Sequence, residues 1–333
     1  MPEIRAALQQ ALEPTHTLER ELTGGGMATV FVARENALNR QVVIKVLPPE
    51  LAAEVSVERF RREILMSAAL QHPHIVPVIS AGEVGGLPYF IMPFIDGESL
   101  RTRLTRGPLA VRETVGVLKD VSRALIYAHG RDVVHRDIKP DNILITGGSA
   151  VVTDFGVAKA ISASSRSARG GRQITPGGSP AAITAHGIAI GTPAYMAPEQ
   201  AAGDPATDHR ADLYALGIVA WEMLAGTAPF HGISPQQVMA SQLTARPAPI
   251  GSRRYDVPKA LAAIVDQLLA KEPKDRPKSA ADVVRMLDNP AVVSGNFAAA
   301  PRNRVQQAKR AGVVAMLIAA IAAVLYFVLR GKR

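Results

Sequence analysis

Hydrophobic spacing divides the chain into a strand-rich front and a helix-rich back. Ile4, Leu8 and Leu12 recur every four positions, which predicts a short amphipathic helix over residues 3–12. Three runs with strand character follow at Leu18–Leu22, Thr29–Ala33 and Gln41–Leu47, separated by Gly24–Gly26 and Asn36–Asn39. Runs punctuated in this way predict an antiparallel meander. A helix is expected from about Val57 to Leu70, then two further apolar runs, Val76–Ile79 and Tyr89–Ile95. From residue 99 to 288 the pattern is mostly helical, interrupted by β-like pieces at 143–145 and 151–153. The expected class is α+β, and no internal repeat is visible.

Three segments fall outside that body. Residues 160–190 are mostly Ser, Gly, Arg, Pro and Ala, with isoleucine the only large apolar residue type, a composition that offsets little of the entropy of ordering, so a mobile loop is expected. Residues 289–310 have a similar polar character and read as a linker. Ala311–Leu329 is a run of nineteen uncharged, mostly apolar residues. As a helix it would span roughly 28 Å, close to the thickness of a bilayer's hydrocarbon core. Arg302, Arg304, Lys309 and Arg310 precede it, and Arg330, Lys332 and Arg333 follow. The segment is expected to be a single-pass transmembrane helix in contact with membrane lipid. The first residues contain no apolar signal region, so the body is expected on the cytoplasmic side of the cell membrane.

Composition sharpens the picture in two places. The chain has no cysteine, which excludes disulfide scaffolds, thiolate metal sites and thiol nucleophiles. Its net charge of +9 suggests nucleic acid until it is mapped. Seven basic residues lie in 299–333 and four in 159–190, with no acid in either stretch, so the rest of the chain carries −2. A nucleic-acid-binding face is a poor reading of that distribution, and no nucleic-acid partner is expected.

The strongest chemical signal is His135-Arg136-Asp137-Ile138-Lys139-Pro140-Asp141-Asn142, with Asp154-Phe155-Gly156 beginning twelve residues after Asn142. Asp137, Asn142 and Asp154 thus arise from one hairpin-like region, and each can bind a metal or accept a proton. Phosphoryl transfer needs hard oxygen ligands for Mg²⁺ and a carboxylate near the incoming hydroxyl. Upstream, Val42-Val43-Ile44-Lys45 sets a lysine in an apolar strand, where burial is costly without an anion nearby.

With these motifs the chain resembles the eukaryotic-like (Hanks-type) protein kinases, and closely the bacterial membrane-anchored Ser/Thr kinases, over about residues 16–288. The resemblance implies a bilobal fold, with a β-rich N-lobe and a helical C-lobe. The whole chain then divides into an N-terminal extension (1–15), a kinase domain (16–288), a juxtamembrane linker (289–310) and the membrane helix (311–329).

By the same resemblance Asp137 is the catalytic base, Lys139 steadies the γ-phosphate, and Asn142 and Asp154 hold Mg²⁺, with Mn²⁺ as a substitute. Lys45 contacts the α- and β-phosphates of ATP and is expected to pair with Glu63, in Arg59-Phe60-Arg61-Arg62-Glu63-Ile64 on the following helix. The nucleotide loop is Leu22, Thr23, Gly24, Gly25, Gly26, Met27, Ala28, Thr29 and Val30. Its departure from the family pattern is that Thr23 and Ala28 replace two of three glycines when the motif is anchored on Val30. Gly24–Gly26 still permit close approach of the backbone to phosphates. Pro93 and Ile95 match the connection between lobes where adenine binds, Pro93 offering a carbonyl and Ile95 an amide.

Gly191-Thr192-Pro193-Ala194-Tyr195-Met196-Ala197-Pro198-Glu199 resembles the end of an activation segment, on which protein substrates lie. Small-molecule kinases lack it. Thr192 with Lys139 implies Ser/Thr acceptors; Glu199 is expected to pair with Arg276, and Asp212 to brace the catalytic loop. Thr184 is the expected autophosphorylation site, with Arg136 receiving the loop phosphate. The function so implied is ATP-dependent phosphorylation of Ser/Thr on proteins in membrane-associated signalling, with self-association allowing trans-autophosphorylation. A membrane-bound pseudokinase scaffold, motivated by Thr23 and Ala28, is the alternative.

Overall fold

The computed structural model describes residues 2–22, 28–52, 64–155, 193–231 and 234–294. Strands β1 (His16–Leu22), β2 (Thr29–Glu35), β3 (Arg40–Val46), β4 (Ser80–Val84) and β5 (Leu87–Pro93) form one antiparallel sheet in the order β1-β2-β3-β5-β4. The expected meander is present at β1–β3. Because side chains alternate across a strand, each face collects its own apolar set. Phe31, Ala33, Val42, Ile44 and Ile91 turn to one face, where helix α1 (Pro2–Leu12) contributes Leu8 and Leu12. Phe90 and Met92 turn to the other, with Ile64, Val76 and Val151, and Val43 packs beside them. In packing terms α1 therefore belongs to the β lobe. Lys45, two residues after Val43, shares that second face.

The apolar run Val76–Ile79 is not itself a strand. Its start is held by the second sheet instead: Val76 N–H bonds Val152 O at 2.9 Å, and Val152 N–H bonds His74 O at 2.9 Å. The ladder strand β4 begins only at Ser80, in a stretch whose polar and small residues carry little strand signal. Of the helix expected over 57–70, residues 64–68 are described and helical; its earlier part, including Glu63, lies outside the described residues.

A second sheet, β6 (Glu98–Ser99), β7 (Ile143–Thr146) and β8 (Ser149–Val152), confirms the β-like pieces expected near 143 and 151 and begins the helical lobe. That lobe contains α2 (Val111–His129), α3 (Arg210–Ala225), α4 (Pro235–Thr244), α5 (Lys259–Leu268) and α6 (Ala280–Leu287). Every residue of α3 from Ala211 to Leu224 is buried, as in a helix surrounded by others. At Gly217 a Cβ would sit 2.8 Å from the Cβ of Leu268, so α3 and α5 pack backbone to side chain there. Gly226 stops α3 at φ +86, a conformation that favours glycine, with its N–H on Glu222 O at 2.7 Å.

Among the described residues no helix is long and apolar enough to cross a membrane. The expected span 311–329 and most of the linker lie outside the described residues, as do Thr23–Met27 and 156–192 with Thr184.

Candidate active site

Two short motifs, far apart in sequence from Lys45, are carried to it by the sheet and the following loops. The ammonium of Lys45 forms an ion pair with Asp154 Oδ2. Burial alone would raise the Asp154 pKa, but the charge and hydrogen bond of Lys45 hold the carboxyl below its ordinary range, with Lys139 also contributing. Asp154 adopts φ +66, so the turn out of β8 aims its side chain at Lys45. Asp137 lies on the loop before β7, where Lys139, whose charge also acts on Asp154, contacts it. Its Oδ2 contacts Lys139 Nζ at 2.7 Å and accepts from Asn142 Nδ2 at 3.1 Å, while its carbonyl accepts from the same amide at 2.8 Å. Asn142 thus spends its N–H groups on Asp137, which leaves Oδ1 for a cation. Asn142 and Asp154 supply oxygen donors, the chemistry Mg²⁺ prefers, so the residues present fit that ion.

The loop that presents Asp137 is held from beneath. Asp212, buried in α3, accepts from the backbone N–H of Arg136 through Oδ1 at 2.7 Å, and from that of His135 through Oδ2 at 2.9 Å. Oδ2 also accepts from His129 Nε2 at 2.8 Å. Arg136 is at φ +68, a strained conformation for a non-glycine residue that this carboxylate secures. Burial would raise the Asp212 pKa, but His129 and the backbone donors pull it below the ordinary value. His135 is fully buried, and its ring packs edge-on to Phe155 with centroids 4.6 Å apart. Its Nε2 donates to Thr153 O at 2.9 Å while Nδ1 accepts from Asp137 N at 3.2 Å, so the neutral Nε2–H tautomer ties the two carboxylate loops together.

The segment after residue 192, expected to carry the acceptor, is braced in the same manner. Arg276 pairs bidentately with Glu199 at 2.6 and 2.7 Å. Its remaining N–H groups donate to the carbonyls of Ala270, Arg210 and Lys271, so the buried pair is fully partnered. Gln200 accepts from Ala197 N at 3.1 Å and donates to Arg136 O at 3.1 Å, which links the platform to the catalytic loop. Tyr195 OH donates to Glu222 Oε2 at 2.6 Å, and Arg101 bonds both.

Of the residues expected at the site, Lys45, Asp137, Lys139, Asn142 and Asp154 are brought together. Leu22 and Val30 face one another across β1 and β2, and Val30 pairs with Lys45 across β2 and β3. Thr29 opens β2 just after Ala28, so described residues flank the glycine segment on both sides. Pro93 ends β5 opposite Val42, and Ile95 packs against the inner face of the β lobe. Glu63 lies outside the described residues, and the Lys45 partner described is Asp154. His129, His135, Gln200 and Tyr195 were not singled out from sequence as site residues. His135, two residues before Asp137, and Tyr195, within the 191–199 motif, offered a signal by position; His129 and Gln200 offered none.

A β lobe whose strand β3 sets Lys45 against Asp154, above a helical lobe whose loop carries Asp137, Lys139 and Asn142, is the arrangement of a phosphotransferase class of protein. Residues 16–287 match the protein kinase domain family, and the chain belongs to it. It is 39% identical over 282 residues to the serine/threonine-protein kinase PknB of Mycobacterium tuberculosis (strain H37Rv), a match covering 81% of this chain and 42% of the relative. It is 37% identical over 278 residues to the probable serine/threonine-protein kinase pknA2 of Bifidobacterium longum, covering 82% of this chain and 34% of that one. The match thus takes in well under half the length of either relative. Among solved structures, the kinase domain of M. tuberculosis PknI superposes with a TM-score of 0.62 at 27% identity, covering 83% of this chain and 96% of that one.

Proposed function

We propose that the protein is an ATP-dependent serine/threonine protein kinase that transfers the γ-phosphoryl group to Ser/Thr hydroxyls of proteins. The observation that carries this reading is the meeting of Asp137, Lys139 and Asn142 with the Lys45–Asp154 pair. Lys45 binds the α- and β-phosphates, and Lys139 steadies the oxygens of the group in transit. Asp137 accepts the proton of the acceptor hydroxyl at Oδ1 or Oδ2. Asn142 and Asp154 would hold Mg²⁺, which when bound neutralises charge between the phosphate oxygens. His135 and Asp212 move no proton; they fix the direction in which Asp137 points.

The scaffold alternative is disfavoured, because every chemical position of the motif set is filled. Autophosphorylation of the 156–192 segment, membrane attachment through 311–329 and self-association extend the same reading. They are supported by the Ser/Thr content of that segment and by the apolar run. Asp137→Asn should lower transfer from [γ-³²P]ATP by about 10²–10⁴-fold. Full transfer by that variant would overturn the proposal, and phosphotyrosine as the main product would overturn the acceptor class.

A further inference from the structure

Gln242 lies on α4, far in sequence from every motif, yet its side chain is wholly buried. Burial of a primary amide demands partners for both ends. Its Oε1 accepts from Tyr214 OH at 2.6 Å; its Nε2 donates to Ala194 O at 2.7 Å and, more weakly, to Pro193 O at 3.4 Å. Tyr214 OH accepts in turn from Lys271 Nζ at 2.8 Å, and the same ammonium reaches Gln242 O at 2.6 Å and Ser241 O at 3.4 Å. The direction of this chain is forced. An ammonium can only donate and a carbonyl can only accept, so the tyrosine hydroxyl and the amide between them each have one permitted orientation.

The chain ends on the main chain of residues 193–195, a single 3₁₀ turn with no strand partner. Among the described residues its other anchors are the hydrogen bonds of Tyr195 OH with Glu222 and Arg101, and the bond from Met196 N to Pro193 O at 3.3 Å. Neither fixes the Ala194 carbonyl. The catalytic loop is held mainly by a different set, Asp212, His129 and His135, and meets this segment through Gln200 on Arg136 O; Gln242 bonds none of these residues.

We propose that Gln242 is a positioning residue for the protein acceptor: its amide sets the backbone of residues 193–194 on which the acceptor lies, and Tyr214 and Lys271 hold that amide the right way round. The inference rests on the protein-kinase reading above. Its signature is a loss of acceptor affinity with nucleotide affinity preserved, which general loosening of the fold would not produce.

The test uses the full chain, dephosphorylated α-casein as acceptor and [γ-³²P]ATP. Gln242→Leu should raise the KM for casein about tenfold, which corresponds to about 1.4 kcal/mol, and change the KM for ATP by less than about twofold. Tyr214→Phe, which keeps the ring and removes only the relay, should raise it about threefold. It decides the matter in the same way if Gln242→Leu does not fold. Unchanged casein KM in a folded variant, or ATP KM rising in step with it, overturns the inference while leaving the kinase reading intact. Failure of the wild-type chain to phosphorylate casein would sink the kinase reading itself, and this inference with it.

Discussion

Asp212→Asn is the sharpest test of how the catalytic loop is held. The carboxylate serves three donors: Arg136 N on Oδ1, and His135 N with His129 Nε2 on Oδ2. An asparagine retains one oxygen. The best orientation leaves that oxygen facing His135 and His129 and turns the amide NH₂ against the Arg136 N–H. One charge-assisted bond is lost, worth about 1.5–3 kcal/mol, and a buried donor is left opposed, at about 1–3 kcal/mol more. The expected loss of stability is therefore about 2–5 kcal/mol, below the simple sum because part of the loop can relax. With Arg136 released from φ +68, Asp137 shifts, and a displacement of about 1 Å at a reacting group costs roughly 10²-fold in kcat. Urea unfolding and steady-state phosphotransfer measure the two effects. The argument also has a pH sign. The folded-state pKa of Asp212 is depressed, so the advantage of wild type over Asp212→Asn is fully present above the ordinary value of 3.8 and is lost as pH falls through the lower folded value. A variant within 1 kcal/mol of wild type, with kcat within about twofold, would refute the reasoning.

Two further outcomes are expected. Leu8→Ala removes a fully buried side chain from the core shared by α1 and the sheet and should cost about 3 kcal/mol, a drop in Tm of roughly 5–10 °C; a shift under about 1 °C in a thermal melt would show that α1 does not pack as described. Burial, with Arg276 and Arg246 nearby, lowers the Lys271 pKa from 10.5 to about 8, so between those values the unfolded chain binds the extra proton and stability rises with pH. Wild type should gain on Lys271→Met in urea unfolding from pH 8 to 10, and a constant difference would contradict this.

The chemistry of the site was more legible in the sequence than its support. Asp137, Asn142, Asp154 and Lys45 stand out because charged or amide groups at fixed spacing beside apolar strands have few other uses. Their contacts reinforce that reading. Asp212, Glu199 and Arg276 were reached through resemblance, and the described bonds give them the bracing roles expected. Strand β4 was not legible, since Ser80–Val84 carries little apolar alternation and gains strand geometry only by pairing with β5. Gln242, Tyr214 and Lys271 left no local signal: each looks like an ordinary helix or turn residue until the fold brings together positions 28–57 apart, as with Tyr214 and Gln242 or Tyr214 and Lys271. Periodicity reports which face of a helix is covered, but not which hydroxyl or amide it meets.

The packing of α1 bears on how the protein should be cut for study. A fragment begun at residue 16, where the family match starts, would lose Leu8 and Leu12 and leave Phe31, Ile44 and Ile91 without their cover. Such a fragment would offer a bare greasy sheet beside the free edge of β1, a surface suited to sticking copies together. Dimers seen with it would report the scissors rather than the kinase, so any search for natural pairing should begin from chains that keep residues 2–12.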